Sequence, residues 1–269
     1  MPVDLTNQAT RNRLFREDRA AGLPAVFTIG DSWFDYPVYP NIVDDLYFTG
    51  LFALCRREVS GAVLDDIAKQ AAIPRDILKA GSDLLLVSGG GNDLVEKEWI
   101  SHLFLPSDGT PTSDVDSLID KQWWEPKLRF FYHWYSAVVN QCAPWGIRVV
   151  THGYDYLIPS STGLSLDIFY HSGPWVRPAM MAAGITDPLT QRRLARRLVD
   201  DFNGVFEALV REGHQLPDGR PAFHYIDCRG TLDDADWVNE MHPTKIGFEK
   251  VAARFVPVLG ALLHPAILA

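Results

Sequence analysis

The feature that most limits what this chain can fold into is a set of short apolar runs spaced along its length. Residues 25–29 (Ala-Val-Phe-Thr-Ile), 84–87 (Leu-Leu-Leu-Val), 147–151 (Ile-Arg-Val-Val-Thr) and 223–227 (Phe-His-Tyr-Ile-Asp) each read as a strand. Leu51 to Val59 holds a candidate for one more. Between them lie stretches with helical character: 41–49, then 62–72 with Val63, Leu64, Ile67, Ala68 and Ala71 on one face, then a short helix opened by Pro74. Longer helices are predicted over 126–142 and from about Pro188 to Arg211. Thr244 is placed to cap a closing helix, with Ile246, Phe248, Val251, Ala252 and Phe255 on its inner side. Residues 6–21 read as an amphipathic leading helix. Strands that alternate with helices predict a parallel sheet covered on both faces, because a parallel crossover returns the chain through a helix.

The expected fold class is therefore α/β, with a central parallel sheet covered by helices on both faces. No internal repeat, low-complexity segment or convincing linker divides the chain. Residues 1–269 are read as one domain. The irregular stretches 97–125 and 155–187 are read as insertions over one end of the sheet and as candidate lids.

Composition narrows the partners. Lysine and arginine number 25 against 34 aspartates and glutamates, a formal charge of −9. An acidic surface disfavours nucleic acid and anionic membranes as partners. The basic cluster Arg192, Arg193, Arg196 and Arg197 reads as a solvated helix face. No apolar run reaches the length of a membrane span, and residues 1–22 lack the apolar stretch of a signal peptide, so a cytoplasmic location is expected. Cys55, Cys142 and Cys228 are far apart and form neither a disulfide framework nor a zinc site. They read as small buried apolar residues. No metal motif and no dinucleotide or phosphate-loop signature is present, so no cofactor is expected.

The chemistry centres on Gly30-Asp31-Ser32-Trp33, at the carboxyl end of the first apolar run. Gly30 permits a sharp turn, and a serine there sits where open α/β sheets bind ligands. Asp31 and Ser32 are also ordinary turn formers. Asn92 follows three glycines after the run 84–87, where its amide can donate to an anion or simply shape a turn. His242 lies in a short loop before the final helix, within reach of a serine at the same end of the sheet. The other histidines (His102, His133, His152, His171, His214, His224 and His264) read as structural or surface residues, although His152 leaves a central strand and is a candidate pocket residue. Trp33, Phe34, Tyr36, Tyr154, Tyr156 and Trp175 fall in predicted loops, as candidate walls of an apolar acyl pocket or sugar platforms, or as packing residues. No Gly-x-Ser-x-Gly elbow is present, which argues against the α/β-hydrolase form of serine chemistry.

Taken together, the blocks resemble those of the SGNH (GDSL) hydrolases. Gly30-Asp31-Ser32-Trp33 resembles the Gly-Asp-Ser-Leu block, and Gly91-Asn92-Asp93 the Gly-x-Asn-Asp block. Ser60-Gly61 resembles the glycine block between them, and His242-Pro243 the closing Asp-x-x-His-Pro block. The resemblance covers about residues 24–263 and implies a three-layer α/β/α sandwich, flavodoxin-like in outline, with Ser32 as nucleophile and His242 as general base. It also implies an oxyanion hole formed by the Ser32 N–H, the Gly61 N–H and the Asn92 amide. One position departs from the pattern. The family's acid stands three residues before the histidine, where this chain has Asn239. Three outcomes stay open: a nearby carboxylate, Asp236 or Glu240, takes the role; Asn239 or a backbone carbonyl orients His242; or the enzyme is weak or inactive. The expected activity is serine ester hydrolysis through an acyl-enzyme, on a small-molecule ester with a small or medium acyl group. Carbohydrate acetylesterase, acyltransferase and a non-catalytic binding module on the same fold are the alternatives.

Overall fold

The computed structural model describes residues 4–70, 73–165 and 171–263. The end of the predicted 62–72 helix with Ala71, residues 166–170 of the second insertion, and His264 lie outside them.

The apolar runs pair side by side. Strands β1 (Ala25–Ile29), β2 (Ala53–Arg56), β3 (Leu84–Val87), β4 (Arg148–His152) and β7 (Phe223–Ile226) form one sheet in the order β2-β1-β3-β4-β7. Every pair in it is parallel. β1 to β4 are buried along their whole length, as expected of strands covered on both faces. Two short strands, β5 (Leu164–Ser165) and β6 (His171–Ser172), pair antiparallel apart from this sheet.

The covering helices follow from their sequences. α1 (Gln8–Ala20) is capped by Asn7, and α2 (Ile42–Phe48) opens on a capping box between Asn41 and Asp44. α3 (Leu64–Gln70) and α4 (Ile73–Lys79) precede β3, with Pro74 in the first turn of α4. After β3 come the one-turn helices α5 (Gly91–Leu94) and α6 (Lys97–Ile100). α7 (Lys121–Cys142) starts five residues earlier than the reading of 126–142 and carries Pro126 inside it. Asp120 is the reason, since its carboxylate accepts the N–H of Gln122 at 2.9 Å and sets the true start. α8 (Val176–Ala182) lies in the second insertion. α9 (Pro188–Glu212) ends on left-handed Gly213, and α10 (Lys245–Leu263) closes the described chain.

The two insertions are not plain loops. Trp99, Leu103 and Trp124 from the first meet Val176 and Met180 from the second, over Leu194 and Leu198 of α9. This makes a second apolar cluster beside the main core of the sheet. The Arg192–Arg197 cluster is largely neutralised: Arg192 pairs with Asp234, Arg197 with Asp116 and Asp201, and Arg196 lies over the Tyr156 ring. The three cysteines are buried and unpaired, and burial pushes the Cys142 thiol up to about 12.

Gly30 is where the sheet passes the chain to the candidate site. A Cβ on it would lie 2.7 Å from the Ser88 carbonyl oxygen and 2.9 Å from the Ser88 Cβ, neither of which can swing aside. Gly30→Ala is expected to destabilise the protein by about 1–3 kcal/mol, as overpacking does. A thermal melt should then show Tm lower by roughly 3–10 °C. An unchanged Tm would mean that β1 and β3 are free to part at this point.

Candidate active site

β1 and β3 are neighbours, with Ile29 beside Val87. The chain leaves β1 toward β2 on one side and later returns to β3 on the other. Such a switch point opens a crevice at the carboxyl ends of the strands. Gly30-Asp31-Ser32 and Ser88 to Asp93 leave the sheet together at that edge.

Asp31 anchors the turn that carries Ser32. Its buried carboxylate accepts the Trp33 N–H at 3.1 Å, the Ser88 hydroxyl at 2.8 Å and the Tyr154 hydroxyl at 2.5 Å. Tyr154 in turn accepts the Gly91 N–H at 3.1 Å. His152 Nε2 lies 2.9 Å from the same Ser88 hydroxyl. Burial pushes the Asp31 carboxyl up and holds His152 down to about 4. One buried network therefore ties together the exits of β1, β3 and β4. His152 belongs to it, beneath the site, and does not line the cleft.

His242 reaches Ser32 from a tight loop. Val238 N–H donates to the His242 carbonyl at 3.0 Å, and the Thr244 hydroxyl accepts the Gly247 N–H at 3.1 Å to start α10. The indole of Trp33 donates to the Met241 carbonyl at 3.0 Å, which pins the residue after Ser32 to the residue before His242. Ser32 Oγ then stands 2.9 Å from His242 Nε2, and both residues are buried, 8% and 6% exposed. Burial lowers the imidazole to about 4, so it is neutral near pH 7.

Asn239 sits on the far side of that ring. Its Oδ1 accepts the Met241 N–H at 3.0 Å and the His242 N–H at 2.9 Å, and lies 3.1 Å from His242 Nδ1. Two backbone donors identify this atom as the oxygen and not the nitrogen. A carbonyl oxygen only accepts, so Nδ1 carries the proton and Nε2 presents its lone pair to Ser32. The Tyr36 ring lies 4.7 Å from the imidazole.

Neither carboxylate weighed for the missing acid reaches His242. Glu240 is fully buried and accepts the N–H groups of Ser160, Trp175, Val176 and Arg177, the last two at 2.8 Å each. It satisfies the orphan donors at the start of α8 and ties the second insertion to the histidine loop. Asp236 accepts the Asp233 N–H at 2.8 Å and pairs with Lys250 at 2.5 Å.

Asn92 lines the cleft with Ser32, His242 and Trp175. Its amide donates to the Ala62 carbonyl at 2.9 Å, while Asp93 accepts the Leu64 N–H at 3.0 Å to cap α3. Gly61 precedes Ala62 in an exposed turn at φ +78° and is not among the residues lining the cleft. Of the loop aromatics, Trp33, Tyr154 and Trp175 face the cleft, whereas Phe34 and Tyr36 pack in the core and Tyr156 bonds Asp200. Among the described residues no cluster of three metal-ligating side chains occurs, and no helix is long and apolar enough to cross a membrane.

No family model matches the sequence, and no curated protein matches it. Solved structures do. A catalytic mutant of Axe2, an acetylxylan esterase from Geobacillus stearothermophilus, is 15% identical over 88% of this chain and 94% of that one, with a TM-score of 0.51. A second Axe2 mutant, described as an acetyl-xylooligosaccharide esterase, gives 13% identity over the same shares and the same TM-score. A GDSL-like lipase from Bacteroides thetaiotaomicron is 14% identical over 96% of this chain and all of that one, with a TM-score of 0.46. The chain has the α/β fold of the SGNH (GDSL) hydrolases, with an all-parallel five-stranded sheet flanked by helices.

Proposed function

We propose that this chain is a serine ester hydrolase working through an acyl-enzyme. Ser32 is the nucleophile, His242 the general base and Asn239 the residue that orients the base. The observation that carries the reading is the line from Ser32 Oγ to His242 Nε2, 2.9 Å, and from His242 Nδ1 to Asn239 Oδ1, 3.1 Å. It joins residues 210 positions apart with the correct tautomer facing the hydroxyl.

In this mechanism His242 takes the Ser32 proton as Oγ attacks the ester carbonyl, then gives it to the leaving alcohol. Water, deprotonated by His242 in the same way, releases the acyl group from Ser32. The oxyanion donors are the Ser32 N–H, the Gly61 N–H and the Asn92 amide. Asn92 has the better support, since it lines the cleft and its amide carries a second N–H beside the one given to Ala62. Gly61 has less, lying in the adjoining turn.

A fluorophosphonate probe tests the assignment. Intact-mass analysis should show one adduct on the wild type, located at Ser32, and none on Ser32→Ala. An unlabelled wild type that hydrolyses no ester would sink the reading.

The acid limb of the pH profile follows from burial. A general base acts only when neutral, and His242 is held at about 4. kcat/KM is expected to stay level as pH falls from 8 to roughly 5, and to halve near the His242 value, well below the ordinary histidine range of ~6.5. Profiles measured with circular dichroism in parallel separate this limb from acid unfolding. A midpoint at 6.5 or above would mean that the imidazole is solvated or that another group is the base.

A further inference from the structure

Beside the Ser32 cleft lies a cavity of about 50 Å³. The two insertions and α9 build it. Trp99, Leu103, Trp124, Val176, Leu198 and Phe202 form its walls, all of them buried. Trp33, Val95, Tyr154 and Met241 line both this cavity and the cleft holding Ser32 and His242, so the two adjoin.

Most side-chain polar groups around the cavity are already engaged. The Trp124 indole donates to Asp201 at 2.7 Å, and the Trp33 indole to the Met241 carbonyl. The Asp155 carboxylate accepts the N–H groups of Tyr156, Gly230 and Leu232 at 2.6–2.7 Å. The indoles of Trp99 and Trp237 add two N–H groups to a lining that is otherwise largely apolar. A guest would therefore be held chiefly by apolar contact and shape. That disfavours a sugar ring, most of whose hydroxyls would lose water without replacement.

Resting on the reading of Ser32 as nucleophile, we infer that this cavity is the acyl subsite, and that it takes a short aliphatic acyl group of about three carbons. The length comes from the volume: an apolar cavity of about 150 Å³ takes one benzene, roughly 25 Å³ per carbon, so this cavity has room for roughly two carbons beyond the carbonyl. The assignment to the acyl side comes from the order of departure. The C–O bond to the alcohol breaks first, and the alcohol leaves with the proton from His242, while the acyl group stays bonded to Ser32 Oγ. A portion lodged behind the serine suits the group that stays.

The test is kcat/KM for p-nitrophenyl esters from acetate to dodecanoate, on wild type, Trp99→Ala and Leu103→Trp. The wild type should gain about threefold to fourfold per added methylene until the cavity fills, then fall beyond about four carbons. Trp99→Ala, which opens the wall, should move the optimum to chains two to four carbons longer, and Leu103→Trp should move it to acetate. Rates of Ser32 labelling by short and long alkyl fluorophosphonates, read by mass, should follow the same order without turnover. Should Leu103→Trp fail to fold, Trp99→Ala and the labelling series still decide. A flat acyl profile with active enzyme, an optimum that Trp99→Ala leaves in place, or steep selection by alcohol length instead would overturn the acyl assignment alone. Absence of both hydrolysis and Ser32 labelling would overturn the hydrolase reading and this subsite with it.

Discussion

Ser32→Ala is expected to lower kcat for a short p-nitrophenyl ester by roughly 10⁵–10⁶, leaving only what binding and oxyanion donors supply. On the proposed mechanism the loss is large because attack by Ser32 Oγ splits the reaction in two; without it, one harder step through direct attack by water remains. His242→Ala should cost nearly as much. The double variant should be no worse than either single one, because the two residues act as a unit. Stability is a clean control here. Removing one hydroxyl from Ser32 leaves the Asp31 network untouched, since its partners are Trp33, Ser88 and Tyr154. The melting temperature of Ser32→Ala should therefore stay close to that of the wild type while activity vanishes. Purified Ser32→Ala that keeps a tenth of wild-type activity would remove Ser32 from the mechanism.

The parts of this fold legible in the sequence are those whose burial is continuous. β3 reads as an unbroken apolar run and β1 as one interrupted only by Thr28, because both faces are covered, and β4 shows through Val149 and Val150. β2 was the weak signal, and Arg56 is the reason: a buried strand residue whose charge is matched by Asp44 at 2.5 Å and by Glu58. The insertions hid their order because their helices are one or two turns long, too short to show a period, and cohere only by packing on each other. At the site, Ser32, Asn92 and His242 stood out because turn chemistry at strand ends is local. Their supports did not. Ser88 and Tyr154 reach Asp31 from 57 and 123 residues away, and no pattern along the chain announces such a meeting. Glu240 looked like a spare acid beside His242, but its charge belongs to the start of α8.

Asn239 carries the second large prediction. Asn239→Leu removes an oxygen that meets two backbone donors and the imidazole together. The ring then loses both its orientation and its tautomer. An Asp-to-Asn change in a serine protease costs ~10⁴ in kcat, partly through the wrong tautomer. Here the tautomer is already correct with asparagine, because the Met241 and His242 N–H groups fix which end of the amide faces the ring. Asn239→Leu is therefore expected to lower kcat by roughly 10²–10³. Asn239→Asp keeps every acceptor and adds a charge, and should lose nothing in kcat. The charge stabilises the imidazolium, so the acid limb of Asn239→Asp should move to higher pH by about one to three units. The pair of variants separates two roles for this position. If the residue merely holds the loop, leucine should lower Tm and leave the pH limb of the surviving activity in place, and aspartate should change neither. If it orients and tunes the base, leucine costs kcat, and aspartate shifts the limb while Tm barely moves. For leucine both losses are expected together, in kcat and in Tm, since one buried oxygen is bonded to both the loop and the ring; the shifted acid limb of Asn239→Asp at nearly unchanged Tm is then the mark of the orienting role.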